Sequence, residues 1–211
     1  DPFFKYPWWK NSPSAYGPLW ETLAGITAWL AGDGIITNIL AFKILPGIFH
    51  LTSIVVVVSL LRRIQPQYAL SGALLLGWNP VLLYETWGNG HNDIAMIFWV
   101  LLAALLISQK QYSLGSLSLV AGTLIKFIPV LLIPAALLIG YHSLENLKSR
   151  FWFIVKTSLA GAFLIMIAYI PFWNGMATFS IARRMQMFTT SMPAVMYRIL
   201  KPDLGWSEAA R

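Results

Sequence analysis

From residue 85 to residue 93 the chain reads Glu-Thr-Trp-Gly-Asn-Gly-His-Asn-Asp, two carboxylates, an imidazole and two amides between stretches of almost unbroken apolar sequence. Carboxylates and imidazoles can take a proton from a reacting hydroxyl. At or near hydrocarbon depth such groups are expensive, and the default reading is a site that lines a cavity or pathway. Glu85, His91 and Asp93 are therefore the catalytic candidates. Gly88 and Gly90 allow a tight turn and the close approach of a ligand. The plainer alternative for Asn92 and Asp93 is that one of them caps a helix starting at Ile94. For His91 it is a hydrogen-bonded loop histidine. Capping leaves Glu85 and His91 without a local structural reason.

A helix beginning near Ile94 would aim unpaired backbone amides at the same loop, a natural anion site. An ionised Asp93 would repel that anion unless a cation compensates. Lys126 is the candidate, set among apolar residues beside Phe127 and Pro129; the alternative is a lysine snorkelling to the interface. Lys43 and His50 have weaker claims of the same kind. Arg183 and Arg184 could grip a phosphate with forked hydrogen bonds, or could simply be solvated or bound to lipid headgroups. His91 and Asp93 are too few to hold a metal, so neither a metal nor a cofactor is expected. No glycine-rich phosphate loop, serine nucleophile motif or nucleic-acid signature is present.

The elements that must position these groups are membrane-like in composition. Of 211 residues, 57% are hydrophobic and only 11% charged, with mean hydropathy +0.65; a soluble domain carries about a quarter charged residues. The expected fold is all-α, a polytopic transmembrane bundle with an interfacial helix and short broken helices. The absence of cysteine excludes disulfides and a thiolate nucleophile. The chain opens at Asp1 with no leader pattern, and the expectation is an internal piece of a longer protein.

Residues 1–34 read as an external interfacial region. Pro2, Pro7 and Pro13 break an aromatic segment, and a short helix follows over Leu19–Ala31, with Pro18 in its first turn and Gly32-Asp33-Gly34 ending it. Residues 35–173 form the transmembrane region, with about six apolar segments. Ile35–Leu61 is long enough to cross, with a kink expected at Pro46 and a stop at Arg62-Arg63. Tyr68–Tyr84 and Ile94–Ser108 flank the polar run. Leu114–Tyr141, interrupted by Lys126, Pro129 and Pro134, reads as two half-length helices, and Phe151–Phe172 as a last crossing. Residues 174–211 read as an external loop. Arg62, Arg63, Lys110, Lys148 and Arg150 fall in loops that alternate onto one side, which the positive-inside rule places in the cytoplasm; the loop from Glu85 to Asp93 is then extracytoplasmic.

Four segments, Ser14-Ala-Tyr-Gly-Pro-Leu-Trp-Glu21, Trp78-Asn-Pro-Val-Leu-Leu-Tyr-Glu85, Gly88-Asn-Gly-His-Asn-Asp93 and Ile125-Lys-Phe-Ile-Pro129, occur in this order. With them the chain resembles bacterial membrane mannosyltransferases of the GT-C superfamily that use polyprenyl-phosphate-linked sugars, over about residues 1–141. The resemblance implies an inverting glycosyltransferase in the cell membrane. It would move a hexose, mannose by this likeness, from a polyprenyl phosphate to a glycan or lipid acceptor at the external face. A carboxylate would deprotonate the acceptor hydroxyl and cations would stabilise the leaving phosphate.

In such enzymes the main base lies in the first large external loop, so the resemblance places it upstream of residue 1 and leaves Asp93, Glu85 and His91 as supporting groups. Lys126, Arg183 and Arg184 become phosphate-binding candidates, and Tyr16, Trp9, Trp20, Asn89 and Asn92 substrate-binding candidates. The three aromatic residues could stack on sugar or prenyl groups, or could equally anchor the chain at the interface. The expected partners are the lipid-linked sugar, its acceptor and membrane lipids, with no nucleic acid. Two other classes fit the same hydropathy: a secondary transporter, which would need a symmetry-related second interruption, and a non-catalytic membrane subunit in which the polar run is only a turn.

Overall fold

The computed structural model describes residue 14, residues 16–175 and residue 178. Every regular element among them is helical. The chain divides into two compact units, one of Tyr16–Pro171 and the other of Asp1–Ala15 with Phe172–Arg211. In the second unit few residues are described; there Asn174 N donates to Thr178 Oγ1 at 2.8 Å. All that follows concerns the first.

Helix α1 (Pro18–Ala31) has Pro18 in its first turn and stops where Gly32 takes φ 67°, a left-handed value that glycine reaches without a Cβ clash. Helix α2 (Ile35–Ile64) runs through thirty residues with Pro46 inside it, and Arg62 and Arg63 in its last turn face the negative end of the helix dipole. The segment expected over Tyr68–Tyr84 is divided into α3 (Ala69–Gly77) and α4 (Pro80–Leu83). Asn79 causes the division: its Oδ1 accepts from Val81 N and Leu82 N at 3.0 and 3.3 Å, and Pro80 starts the new helix with no N–H to lose.

The polar run then forms a π-helical turn over Tyr84–Gly88, followed by α5 (Asp93–Ser108) and α6 (Tyr112–Thr123). A break at 124–127 and a 3-10 turn over Ile128–Leu132 lead into α7 (Ile133–His142). Helix α8 (Leu147–Tyr169) closes the unit, its start capped by Asn146 Oδ1, which accepts from Ser149 N at 2.7 Å.

Helix α6 lies at the centre, packed against α5, α7 and α8. Gly115, Ser116, Ser118, Ala121 and Gly122 are all buried on it, and such small side chains let neighbouring backbones come close. One core cluster joins Trp20, Ala95 and Ile125; another joins Ala103, Leu119 and Ala136. The outside is as apolar as the inside. Ile36, Val55, Leu75, Leu131 and Leu159 are each more than 60% exposed, while His50, Ser53, Thr86, Asn92, Ser116 and Thr157 are buried. Helices α2 and α8 are long and apolar enough to cross a membrane.

Candidate functional site

The polar run is held from below by α2. Pro46 has no N–H, so the helix leaves the carbonyl of Phe42 without its usual donor, and the chain presses Gly90 against that carbonyl. A Cβ on Gly90 would lie 3.0 Å from Phe42 O, and Gly90 has φ +70°. Only glycine meets both demands without strain. Gly88 has a negative φ and a Cβ there would meet only the Tyr84 ring at 3.4 Å, so the tight turn depends on Gly90.

A second anchor is Trp87. Its ring lies against Gly47, where a Cβ would come within 2.5 Å of it, and its Nε1 donates to His50 Nδ1 at 3.0 Å. That bond puts the imidazole proton on Nε2, which donates to the carbonyl of Leu76 at 2.9 Å, one of the unpaired acceptors at the end of α3. His50, 1% exposed, thus ties α2 to both sides of the interrupted segment. It is a structural imidazole with both nitrogens engaged, not a cation facing a ligand.

On this support the turn closes with Asn89 N donating to Tyr84 O and His91 N to Glu85 O at 2.9 and 2.8 Å. Single π-helical turns of this kind occur preferentially at functional sites. Glu85 Oε2 accepts from His91 Nδ1 at 2.9 Å and from Asn89 Nδ2 at 3.2 Å. With Nδ1 donating to the carboxylate, Nε2 of a neutral His91 carries a lone pair, and the side chain is 51% exposed. A carboxylate that orients an imidazole in this way prepares it to accept a proton.

Two residues on, Asp93 Oδ1 accepts from Lys126 Nζ at 2.5 Å, across 33 positions of sequence. The same ammonium lies 5.7 Å from the ring centroid of Tyr16, within cation–π reach. Tyr16 is held there by its neighbour: Gly17 N donates to Ile125 O at 2.9 Å and Leu19 N to Leu124 O at 3.0 Å. A Cβ on Gly17 would overlap the carbonyl of Leu124. Thus the start of α1 and the break after α6 are one assembly around Lys126. An ammonium has three protons, so engagement by Asp93 leaves donors free for another anion.

The structure therefore brings together Glu85, Asn89 and His91 in one cluster and Tyr16, Asp93 and Lys126 in another. It corrects three expectations. Trp20 is not available for stacking: it is 7% exposed in the core with Ala95 and Ile125, where its large ring contributes most. Asn92 occupies the cap position of α5 but its side chain makes no capping bond; it is 3% exposed with neither amide atom hydrogen-bonded. Asp93, the other capping candidate, turns to Lys126 instead. Trp9, Arg183 and Arg184 lie outside the described residues. Among the described residues no three His, Cys, Asp or Glu side chains form a metal-binding group. The parts that sequence reasoning missed are Trp87 with His50, and the docking of Gly17. The first links residues 37 positions apart and has no sequence signature.

The described site lies in the part of the chain for which relatives can be found. Residues 5–142 match the family model described as alpha-(1->6)-mannopyranosyltransferase, N-terminal domain. Over 138 residues the chain is 25% identical to alpha-(1->6)-mannopyranosyltransferase A of Corynebacterium glutamicum, an alignment that covers 64% of this chain and 27% of that protein. The chain thus spans about a quarter of the length of that relative. No solved structure matches it. All four ordered segments, with Glu85, His91, Asp93 and Lys126 in them, fall inside the matched region, and the chain belongs to the alpha-(1->6)-mannopyranosyltransferase family, whose N-terminal domain it matches.

Proposed function

We propose that the protein to which this chain belongs is a membrane glycosyltransferase of GT-C type, transferring mannose from a polyprenyl-phosphate donor to a glycan or lipid acceptor at the external face. The observation that carries this reading is the Asp93–Lys126 pair beneath Tyr16, within the region shared with the mannosyltransferase family. Lys126 offers its remaining N–H donors to the donor's phosphate, and Asp93 keeps the ammonium aimed. The Tyr16 ring adds a face for the sugar or the prenyl chain. In the transfer, the acceptor oxygen attacks the anomeric carbon as the bond from that carbon to the phosphate oxygen breaks. The proton leaves the acceptor hydroxyl for a base, and the electron pair leaves with the lipid phosphate, whose charge Lys126 offsets. The Glu85–His91 pair is a supporting proton acceptor, assisting a main base elsewhere in the protein.

The exposed apolar faces of α2 and α8 support a multi-pass membrane setting, since surfaces of this kind need lipid or other helices to cover them. The basic residues support the orientation. Arg63 Nη2 reaches Ser108 O at 3.4 Å, which brings the end of α2 to the end of α5, away from Asp93 at its start. In this reading that basic end is cytoplasmic.

The test is transfer of radiolabelled mannose from polyprenyl-phosphate mannose by the full-length protein in membranes, with lipid and glycan acceptors supplied separately. Product that depends on the lipid-linked donor supports the reading. Equal transfer from a soluble nucleotide sugar, with the lipid-linked donor inert, would remove it.

A further inference from the structure

Helix α5 spans sixteen residues, about 24 Å. Asp93 stands at its start and Lys110 just past its end, so Lys110 is remote from the site described above. Here Lys110, Gln111, Ser113, Ser149, Trp152 and Lys156 line a cleft of about 560 Å³, and an adjoining hollow of about 350 Å³ adds Lys148. Among the described residues no carboxylate, Glu145 included, pairs with any of these three lysines; the lysine held by a carboxylate there is Lys126, by Asp93. Arg150, at the same end, is already engaged by the carbonyl of Leu144 at 2.9 Å and by the Tyr141 ring. The lysines are the uncompensated charge.

Their placement is more specific than a scatter of cations at a membrane surface. Lys148, Trp152 and Lys156 recur every four residues, one face of α8. Lys156 lies nine residues into a helix apolar enough to span, about 14 Å from its start, and its ammonium sits 5.8 Å from the Trp152 ring centroid. Lys110 comes from the other wall. It is the one non-glycine residue with positive φ among those described, at 63°, in a helix ending closed by Lys110 N to Ile107 O and Gln111 N to Leu106 O, both 2.9 Å. Glycine fills such a position without strain; a lysine here accepts strain and gains a cation at the mouth of the cleft.

Around the lysines the walls are apolar and open: Leu114, Trp152 and Phe153 line the cleft, with Leu114 53% exposed and Trp152 47%. We propose that this cleft is a second binding site, taking the phosphate headgroup of an anionic phospholipid between Lys110, Lys148 and Lys156, with the lipid's glycerol and upper acyl chains against Leu114, Trp152 and Phe153. The proposal rests on the membrane reading above. The apolar walls favour a lipid over free phosphate, and tryptophan beside lysine suits the boundary between headgroups and hydrocarbon.

The experiment reconstitutes the full-length protein in phosphatidylcholine nanodiscs and measures retained phosphatidylglycerol by native mass spectrometry, with inorganic phosphate as competitor. The wild type should prefer phosphatidylglycerol. K110G should weaken that preference about fivefold and K110Q/K148Q/K156Q about a hundredfold, at roughly a factor of five per lysine. K110G also relieves the strained backbone, so it should keep or raise the melting temperature while losing lipid, which a merely structural lysine would not do. R62Q/R63Q, carrying other cations of the same end, should bind like wild type. Unchanged binding in K110G and the triple variant, or an equal loss in R62Q/R63Q, would overturn the site. Displacement of the lipid by millimolar phosphate would overturn the lipid as occupant. Carbonate extraction from phosphatidylcholine vesicles separates the two readings: release of the wild type sinks the membrane reading and this proposal together, whereas firm retention without lipid preference sinks the cleft alone.

Discussion

Two pairs set the chemistry of individual residues, and they invite different substitutions. Glu85 fixes the tautomer of His91, so His91→Ala removes a prepared proton acceptor, and about a hundredfold loss in kcat is expected from the size of general-base contributions; mannosyl transfer at saturating donor measures it, and full turnover would reduce the turn to scaffolding. Lys126→Met acts on the other cluster. It should raise KM for the lipid-linked donor more than it lowers kcat, while thermal stability falls by no more than about 1 kcal/mol, because a partly exposed ion pair contributes little to folding. A drop in stability with donor KM unchanged would assign the pair to the fold. His50 separates its two bonds. His50→Asn keeps an acceptor for Trp87, and His50→Gln keeps a donor for Leu76. The asparagine variant should retain more transfer activity, since Trp87 belongs to the turn that carries Glu85 and His91. The reverse ranking would make the link to α3 the important one.

At the scale of elements the site depends on two backbone contacts that side chains would destroy, Gly17 against the Leu124 carbonyl and Gly90 against that of Phe42. Gly90 combines φ +70° with the nearby Phe42 carbonyl, so Gly90→Ala should destabilise by about 1–2 kcal/mol from the left-handed backbone alone, and more if the turn lifts off α2. Denaturation in detergent gives the first figure, and the loss of transfer activity shows whether the turn has moved. These positions also show how far sequence carried the description. The start and stop of α1, the proline breaks near Pro129 and Pro134, and the half-length helices α6 and α7 follow from capping and proline chemistry that act within a few residues. The division of Tyr68–Tyr84 was missed because Asn79 reads as an ordinary polar residue until its Oδ1 is seen to accept two amides. Likewise, Asn92 looked like a cap and is not one, since only the fold shows that its side chain is enclosed without a partner.

Within the unit Tyr16–Pro171 the Asp93–Lys126 site lies at the start of α5 and the three-lysine cleft at the opposite end of that helix. The absence of cysteine from this chain permits a direct test of sidedness. On intact cells, a membrane-impermeant maleimide should label Asn89→Cys, whereas Gln67→Cys, in the turn after Arg62 and Arg63, should react only after permeabilisation. Labelling in the opposite order would invert the orientation and place the proposed transfer in the cytoplasm.

By itself the sequence determined that the chain is helical and apolar, where its helices break, and that Glu85, His91, Asp93 and Lys126 stand apart from their surroundings, because composition, proline and capping preferences are local properties. Only the tertiary structure decided which of these groups meet. Helices that are apolar all round carry no polar face to mark how they are turned toward one another. The pairing of Asp93 with Lys126, the burial of Trp20 and the bond from Trp87 to His50 are therefore set by packing between distant segments.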